Sequence, residues 1–155
     1  MLYYREAAEL IKEYYGRSRE YYMSIGQMAI VLQRLKRYEE ALESYHELIT
    51  YAKESNDAMQ LHLFSNNISV VYLEMEQPRE ALMHLDTAMI LAREQGGIAL
   101  GECLRNMARA CGQLKDYSKE KECLLEAVPL LNEAYGVEHP RAKASAERLA
   151  ELINR

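Results

Sequence analysis

The sequence has no tryptophan, one phenylalanine, three prolines and seven glycines in 155 residues. So few chain breakers, set among plentiful Ala, Leu, Glu, Lys and Arg, point away from a strand-and-turn fold and toward an all-helical one. Nowhere does an apolar run approach the ~18 residues that a membrane helix needs. The start, MLYYREAAEL, lacks a charged-then-apolar signal pattern. A cytoplasmic protein without a membrane partner is therefore expected. Basic residues are not in excess: the formal net charge is −5, whereas a general nucleic-acid binder would carry a basic face.

Chemical motifs are missing as well. There is no Gly-rich phosphate loop, no G-x-S-x-G and no H-E-x-x-H. Cys103, Cys111 and Cys123 form no C-x-x-C pair and have no histidine at a metal-ligand interval, so they read as small buried hydrophobes in a reducing compartment. His46, His62, His84 and His139 are dispersed and read as surface or packing residues, and Glu39-Glu40 as a solvated helix face. No catalytic residue, metal or cofactor is expected, and the chain is not read as an enzyme.

What is present is a repeat. Residues 38–54 read YEEALESYHELITYAKE, residues 78–94 PREALMHLDTAMILARE and residues 117–135 YSKEKECLLEAVPLLNEAY. Ala41 matches Ala81, Leu48 matches Ala88, and Ala52-Lys53-Glu54 matches Ala92-Arg93-Glu94, with steps of 40 and then 39 residues. A fixed period of this size is the mark of stacked supersecondary units.

Apolar periodicity divides the chain into eight helices. They run from about Leu2 to Tyr15, Arg19 to Arg34, Tyr38 to Glu54, Ala58 to Met75, Pro78 to Glu94, Ile98 to Gln113, Tyr117 to Tyr135, and His139-Pro140 to Asn154. The first presents the stripe Leu2, Tyr3, Ala7, Leu10, Ile11, Tyr14 and Tyr15. Gly16, Gly96-Gly97 and Gly136 read as stops, Asp57 and Asp116 as N-caps, and Pro78 as a first helical residue. Pro129 should kink its helix by removing one hydrogen bond and clashing with the carbonyl of Leu125. The tyrosine doublets 3–4, 14–15 and 21–22 should each turn one ring outward, since adjacent helical positions point ~100° apart. The reading is one domain, 1–155. It comprises a leading half-repeat (1–18), repeats at 22–57, 58–97 and 98–137, and a capping helix (138–155).

The pairs resemble tetratricopeptide repeats. The residues that carry the resemblance are Ala29, Leu32, Tyr38, Ala41, Tyr45 and Leu48 in the first repeat. Ser69, Tyr72, Ala81, Leu85 and Ala88 carry it in the second, and Ala108, Cys111, Tyr117, Leu124 and Ala127 in the third. Glu120 stands where this pattern expects Ala, so the third repeat fits the pattern less well than the first two. The ~40-residue period exceeds the usual ~34 and is similar to that of kinesin light chains and Pins-type adaptors. Tyr135-Gly136-Val137-Glu138-His139-Pro140 resembles the kinesin-light-chain inter-repeat phrase.

The resemblance implies an α-solenoid, a right-handed superhelix of antiparallel pairs whose first helices line a concave groove for peptides. The groove positions would be Gln27, Ile30, Gln33 and Arg34, then Leu63, Asn66, Asn67, Val70 and Glu74. Glu102, Arg105, Asn106, Arg109 and Gln113 would follow, and Arg148 after them. Asn67, Arg105 and Arg109 match places in the carboxylate clamp of chaperone-binding members, while Gly26 and Ile30 stand where that clamp has Lys and Asn. Arg105 and Arg109 lie one turn apart on a helix, suited to fork onto a carboxylate. The alternative is that Asn67 bonds to backbone and the arginines pair with Glu102 or Glu74.

The functional expectation is a non-catalytic adaptor or scaffold that holds a protein or peptide partner with an acidic segment. The alternatives are self-association through the terminal half-repeats, a segment of a longer repeat protein, or a regulatory module of a sensor.

Overall fold

The computed structural model describes residues 2–16 and 18–154, with side chains for all of these except 2–5, 7, 8 and 15. Among the described residues there are eight α-helices and no strand. They are α1 (Leu2–Tyr15), α2 (Arg19–Arg34), α3 (Tyr38–Glu54), α4 (Ala58–Glu74), α5 (Pro78–Gln95), α6 (Gly97–Gln113), α7 (Tyr117–Tyr135) and α8 (Pro140–Ile153). Each packs on the next in sequence, and α4 also touches α6. The result is an all-α solenoid.

The turns show why the elements end where they do. Lys36, Asn56, Glu76 and Lys115 all adopt positive φ, between 52° and 62°. Each lets the next residue close a 2.9 Å backbone bond to the helix it has just left: Arg37 N–H to Leu32 O, Asp57 to Ala52, Gln77 to Tyr72 and Asp116 to Cys111. This six-to-one closure satisfies carbonyls that a helix end would otherwise leave orphaned. No glycine supplies it: the residue with positive φ is Lys36, Asn56, Glu76 or Lys115. The side chains of Asp57 and Asp116 accept from Gln60 N–H and Lys119 N–H, as N-caps should, and Pro78 occupies the first turn of α5. Gly96 ends α5, but Gly97 opens α6 instead of closing its predecessor.

Pro129 does not interrupt α7, which runs on to Tyr135.

Small residues sit at the helix crossings: Ala29, Ala41, Ser69, Ala81, Ala88, Ala108 and Ala127 are almost wholly buried. Around them Leu48, Ile68, Leu85 and Leu131 fill the layer between repeats, each burial contributing about 1.5–3 kcal/mol. Gly101 permits a close approach, since a Cβ there would lie 3.1 Å from Leu130 Cβ on α7.

Two expectations are corrected at the N-terminal end. Tyr21 and Tyr22 are both buried, because α2 is covered by α1 on one side and α3 on the other. Tyr22 stacks on Tyr51 with ring centroids 3.7 Å apart, and the Tyr21 hydroxyl donates to Glu47 at 3.0 Å. In α1, Ile11 packs against the core while Leu10 and Tyr14 are exposed; the side chains of Leu2, Tyr3, Tyr4, Ala7 and Tyr15 lie outside the described residues.

Candidate functional site

Side chains one repeat apart meet across α2, α4, α6 and α8. Gln33 Nε2 donates to Glu74 at 3.0 Å across a sequence separation of 41, and Asn106 Nδ2 to Asn66 Oδ1 at 3.0 Å across 40. Gln113 Nε2 donates to Leu73 O at 2.9 Å across 40, and an Arg141 guanidinium nitrogen to Glu102 at 2.8 Å across 39. The repeat step read from the sequence thus reappears as rungs that tie each first helix to the next.

Three adjoining cavities run along this face. The first, about 270 Å³ between α2 and α4, is walled by Met23, Ile30, Leu63 and Phe64, with Gln27 and Asn67 at its polar edge. The second, about 440 Å³, is polar: Arg34, Asn66, Asn67, Glu74, Arg105 and Asn106 line it with Val70 and Tyr45. The third, about 310 Å³ between α6 and α8, is lined by Arg105, Arg109, Arg141 and Arg148 against Glu120. Ile30, Tyr45 and Asn67 belong to the first and second, and Arg105 and Arg141 to the second and third. The cavities therefore form one groove, apolar at one end and arginine-rich at the other.

Glu102 organises the centre. It accepts from Arg105 at 2.9 Å, from Arg141 at 2.8 Å and from the Tyr135 hydroxyl at 2.9 Å. Burial raises its carboxyl pKa, but the Arg105 charge and these hydrogen bonds outweigh that and hold it below its usual range. Arg105 is thereby committed to its own helix. Arg109 is not: among the described residues it makes no hydrogen bond or ion pair. Burial and the neighbouring Arg105 charge lower the pKa of its guanidinium, and Glu74 pulls the other way.

Glu120 is the departure from the repeat pattern's Ala. It is buried and takes two bonds from Arg148, at 2.7 and 2.9 Å. Space comes from Gly112, where a Cβ would stand 2.9 Å from the Glu120 carboxyl carbon. The pair fastens α7 to α8.

Gln27, Arg34, Asn66, Asn67, Val70, Glu74, Arg105, Asn106 and Arg109 all line these cavities. Gln113 lines none of the three cavities and serves as a rung. Asn67 makes no side-chain hydrogen bond among the described residues, to backbone or otherwise. Several lining residues lie outside the repeat register, among them Met23, Phe64, Tyr45 and Arg141. Tyr45 reaches the groove from the second-helix layer, which one-dimensional register assigns to the outside. Arg141 was signalled only by standing one repeat step after Glu102. Elsewhere the histidines keep packing roles: His62 bonds Ala88 O at 3.0 Å, and His139 caps α8 through Arg141 N–H. His46 and His84 approach with centroids 5.8 Å apart, His84 lying against Tyr72.

Comparison with known proteins bears on the same register. The profile described as tetratricopeptide repeat matches residues 57–133, and one described as anaphase-promoting complex subunit 5 matches residues 4–68. No curated protein matches in sequence. The fold is similar to a crystal structure of kinesin light chain nearly identical TPR-like repeats from Podosopora anserina, at TM-score 0.79 and 15% identity over 97% of this chain and 74% of that one. BtubC (BKLC) from P. vanneervenii is similar at TM-score 0.67 and 12% identity, over 97% and 70%. A MamA RS-1 ArsTM double mutant follows at 0.62 and 20%, over 97% and 84%. At these identities the likeness is one of fold.

Proposed function

Because the chain belongs to the tetratricopeptide-repeat family over residues 57–133, a family that binds other proteins, we propose that it is a non-catalytic adaptor whose groove holds an acidic peptide segment. The observation that carries this reading is Arg109. Among the described residues it is an arginine without an ion pair, in a cavity where Arg105, Arg141 and Arg148 already engage Glu102 and Glu120. An unpaired guanidinium beside three others is a site for an incoming carboxylate. Arg105 is a poor second prong, since its guanidinium is already bound to Glu102. The acid contact therefore falls mainly on Arg109, and the apolar wall of Met23, Leu63 and Phe64 takes a hydrophobic side chain of the same peptide. A reducing compartment suits the three unpaired thiols.

Panning a random-peptide phage library against the wild-type chain and Arg109→Glu in parallel tests the assignment. Asp- and Glu-rich peptides are expected from the wild type and not from the variant, with matching helical circular dichroism for both. Recovery of the same peptides by both proteins would refute the acid site.

A further inference from the structure

On the side away from the groove, α5 and α7 present apolar side chains to solvent. Met83 and Ile90, two turns apart on α5, are 73% and 67% exposed, and Leu125 on α7 is 52% exposed. Arg93 and Glu126 tie the two helices together at 3.1 Å. By the 39-residue step, Met83 stands level with Glu122, Asp86 with Leu125, Ile90 with the exposed Pro129, and Glu94 with Glu133. Apolar and acidic side chains thus alternate across the two outer faces. Asp86, Glu94, Glu122 and Glu133 are all exposed and make no ion pair among the described residues. The nearby bases do not balance them: Arg93 is spent on Glu126, and Arg79 and Lys121 stand near the starts of their helices. Exposed apolar surface of this kind is where a partner docks, and its acids ask for an apolar knob flanked by positive charge.

The chain itself carries such a knob. In the turn between α2 and α3, Leu35 is 55% exposed between Arg34 and Lys36, which are exposed and make no ion pair among the described residues. Glu40, the acid beside them, is held by Arg37. The equivalent turns read Glu74-Met75-Glu76-Gln77 and Gln113-Leu114-Lys115-Asp116. Each of those contains an acid, so only the first of the three joins an exposed leucine to uncompensated positive charge.

We propose that the patch docks a second copy of this chain. The Arg34-Leu35-Lys36 turn of one copy sits on the outer faces of α5 and α7 of another. Leu35 meets Met83, Ile90 and Leu125, and the two bases face Asp86, Glu94 and Glu122. The contact joins two different surfaces of the same chain, as a heterologous interface does. Arg109 takes no part in it, so this contact and the acid site of the groove stand or fall separately.

Sedimentation velocity over a concentration series tests the contact. At low salt the wild-type chain is expected to exceed the 18.0 kDa of one copy, and at high salt to return toward it, because exposed charges are then screened. One variant reverses the turn, Arg34→Glu with Lys36→Glu. Glu74 and Glu76 already hold those places one repeat on, Glu76 with the same positive φ, so the backbone accepts the change. A second variant reverses the patch, Asp86→Lys with Glu94→Lys. Each alone should lose association and keep the wild-type helical circular dichroism, since like charges then face each other. Mixed in equal amounts the two should associate again, reversed turn on reversed patch and native turn on native patch. A wild type of single-copy mass at every concentration, variants that associate as the wild type does, or a mixture that stays monomeric would each overturn the contact. Arg109→Glu should leave the association unchanged; its loss in that variant would move the meeting of copies into the groove and overturn the contact as well.

Discussion

Gly112 stands in the interior of α6, where alanine would ordinarily be the better helix former by about 1 kcal/mol. Here the added methyl would meet the Glu120 carboxyl carbon at 2.9 Å. Glu120 is buried, and Arg148 grips it with two bonds, so it cannot step aside without breaking a buried pair. Gly112→Ala should therefore destabilise by about 1–2 kcal/mol, the usual range for overpacking. In a Glu120→Ala, Arg148→Leu background the same change should stabilise by about 1 kcal/mol. Urea titrations of the four proteins check this, and a shift of the same sign in both backgrounds would refute the coupling. The sequence does show Glu120 as a misfit in an alanine slot. It does not show that Gly112 makes the room and Arg148, 28 residues on, supplies the charge, because that depends on how α8 is turned against α6 and α7.

Single helices were legible nearly to the residue, because apolar periodicity and caps are local signals. What a helix meets on either side is not local. The Tyr21–Tyr22 doublet reads as half-exposed from one helix's geometry and is buried because two neighbours cover it. The same holds for α6, whose Glu102 gathers Arg105 from its own helix, Tyr135 from α7 and Arg141 from α8. The ties depend on the carboxylate being ionised. Its folded pKa lies below its ordinary value of 4.5. The stabilisation is therefore fully present above about pH 4.5 and is lost as the pH falls through the lower folded value. Glu102→Gln should flatten that part of the stability–pH curve. Urea midpoints across the acid range measure it, and a variant curve parallel to the wild type would contradict the role given to Glu102.

At the scale of the whole molecule, the steps of 40 and 39 residues did the most. They fixed which helices share a face, and of the fifteen positions named from that register all but Gln113 line the three cavities. It failed where depth mattered. Tyr45 belongs to the repeating second-helix phrase, yet it lines two cavities of the opposite face; Gln113 has the right register and turns to a carbonyl instead. Partners are expected along α2, α4, α6 and α8, with an acid at Arg109. Arginine Nε–Hε resonances, followed by NMR during titration with an acidic peptide selected on this chain, test it most directly. The Arg109 signal is expected to shift saturably and further than those of Arg37, Arg79 and Arg93, which lie on or beside α3 and α5. An unmoved Arg109, with shifts confined to those three, would place the partner on the opposite face and contradict the account.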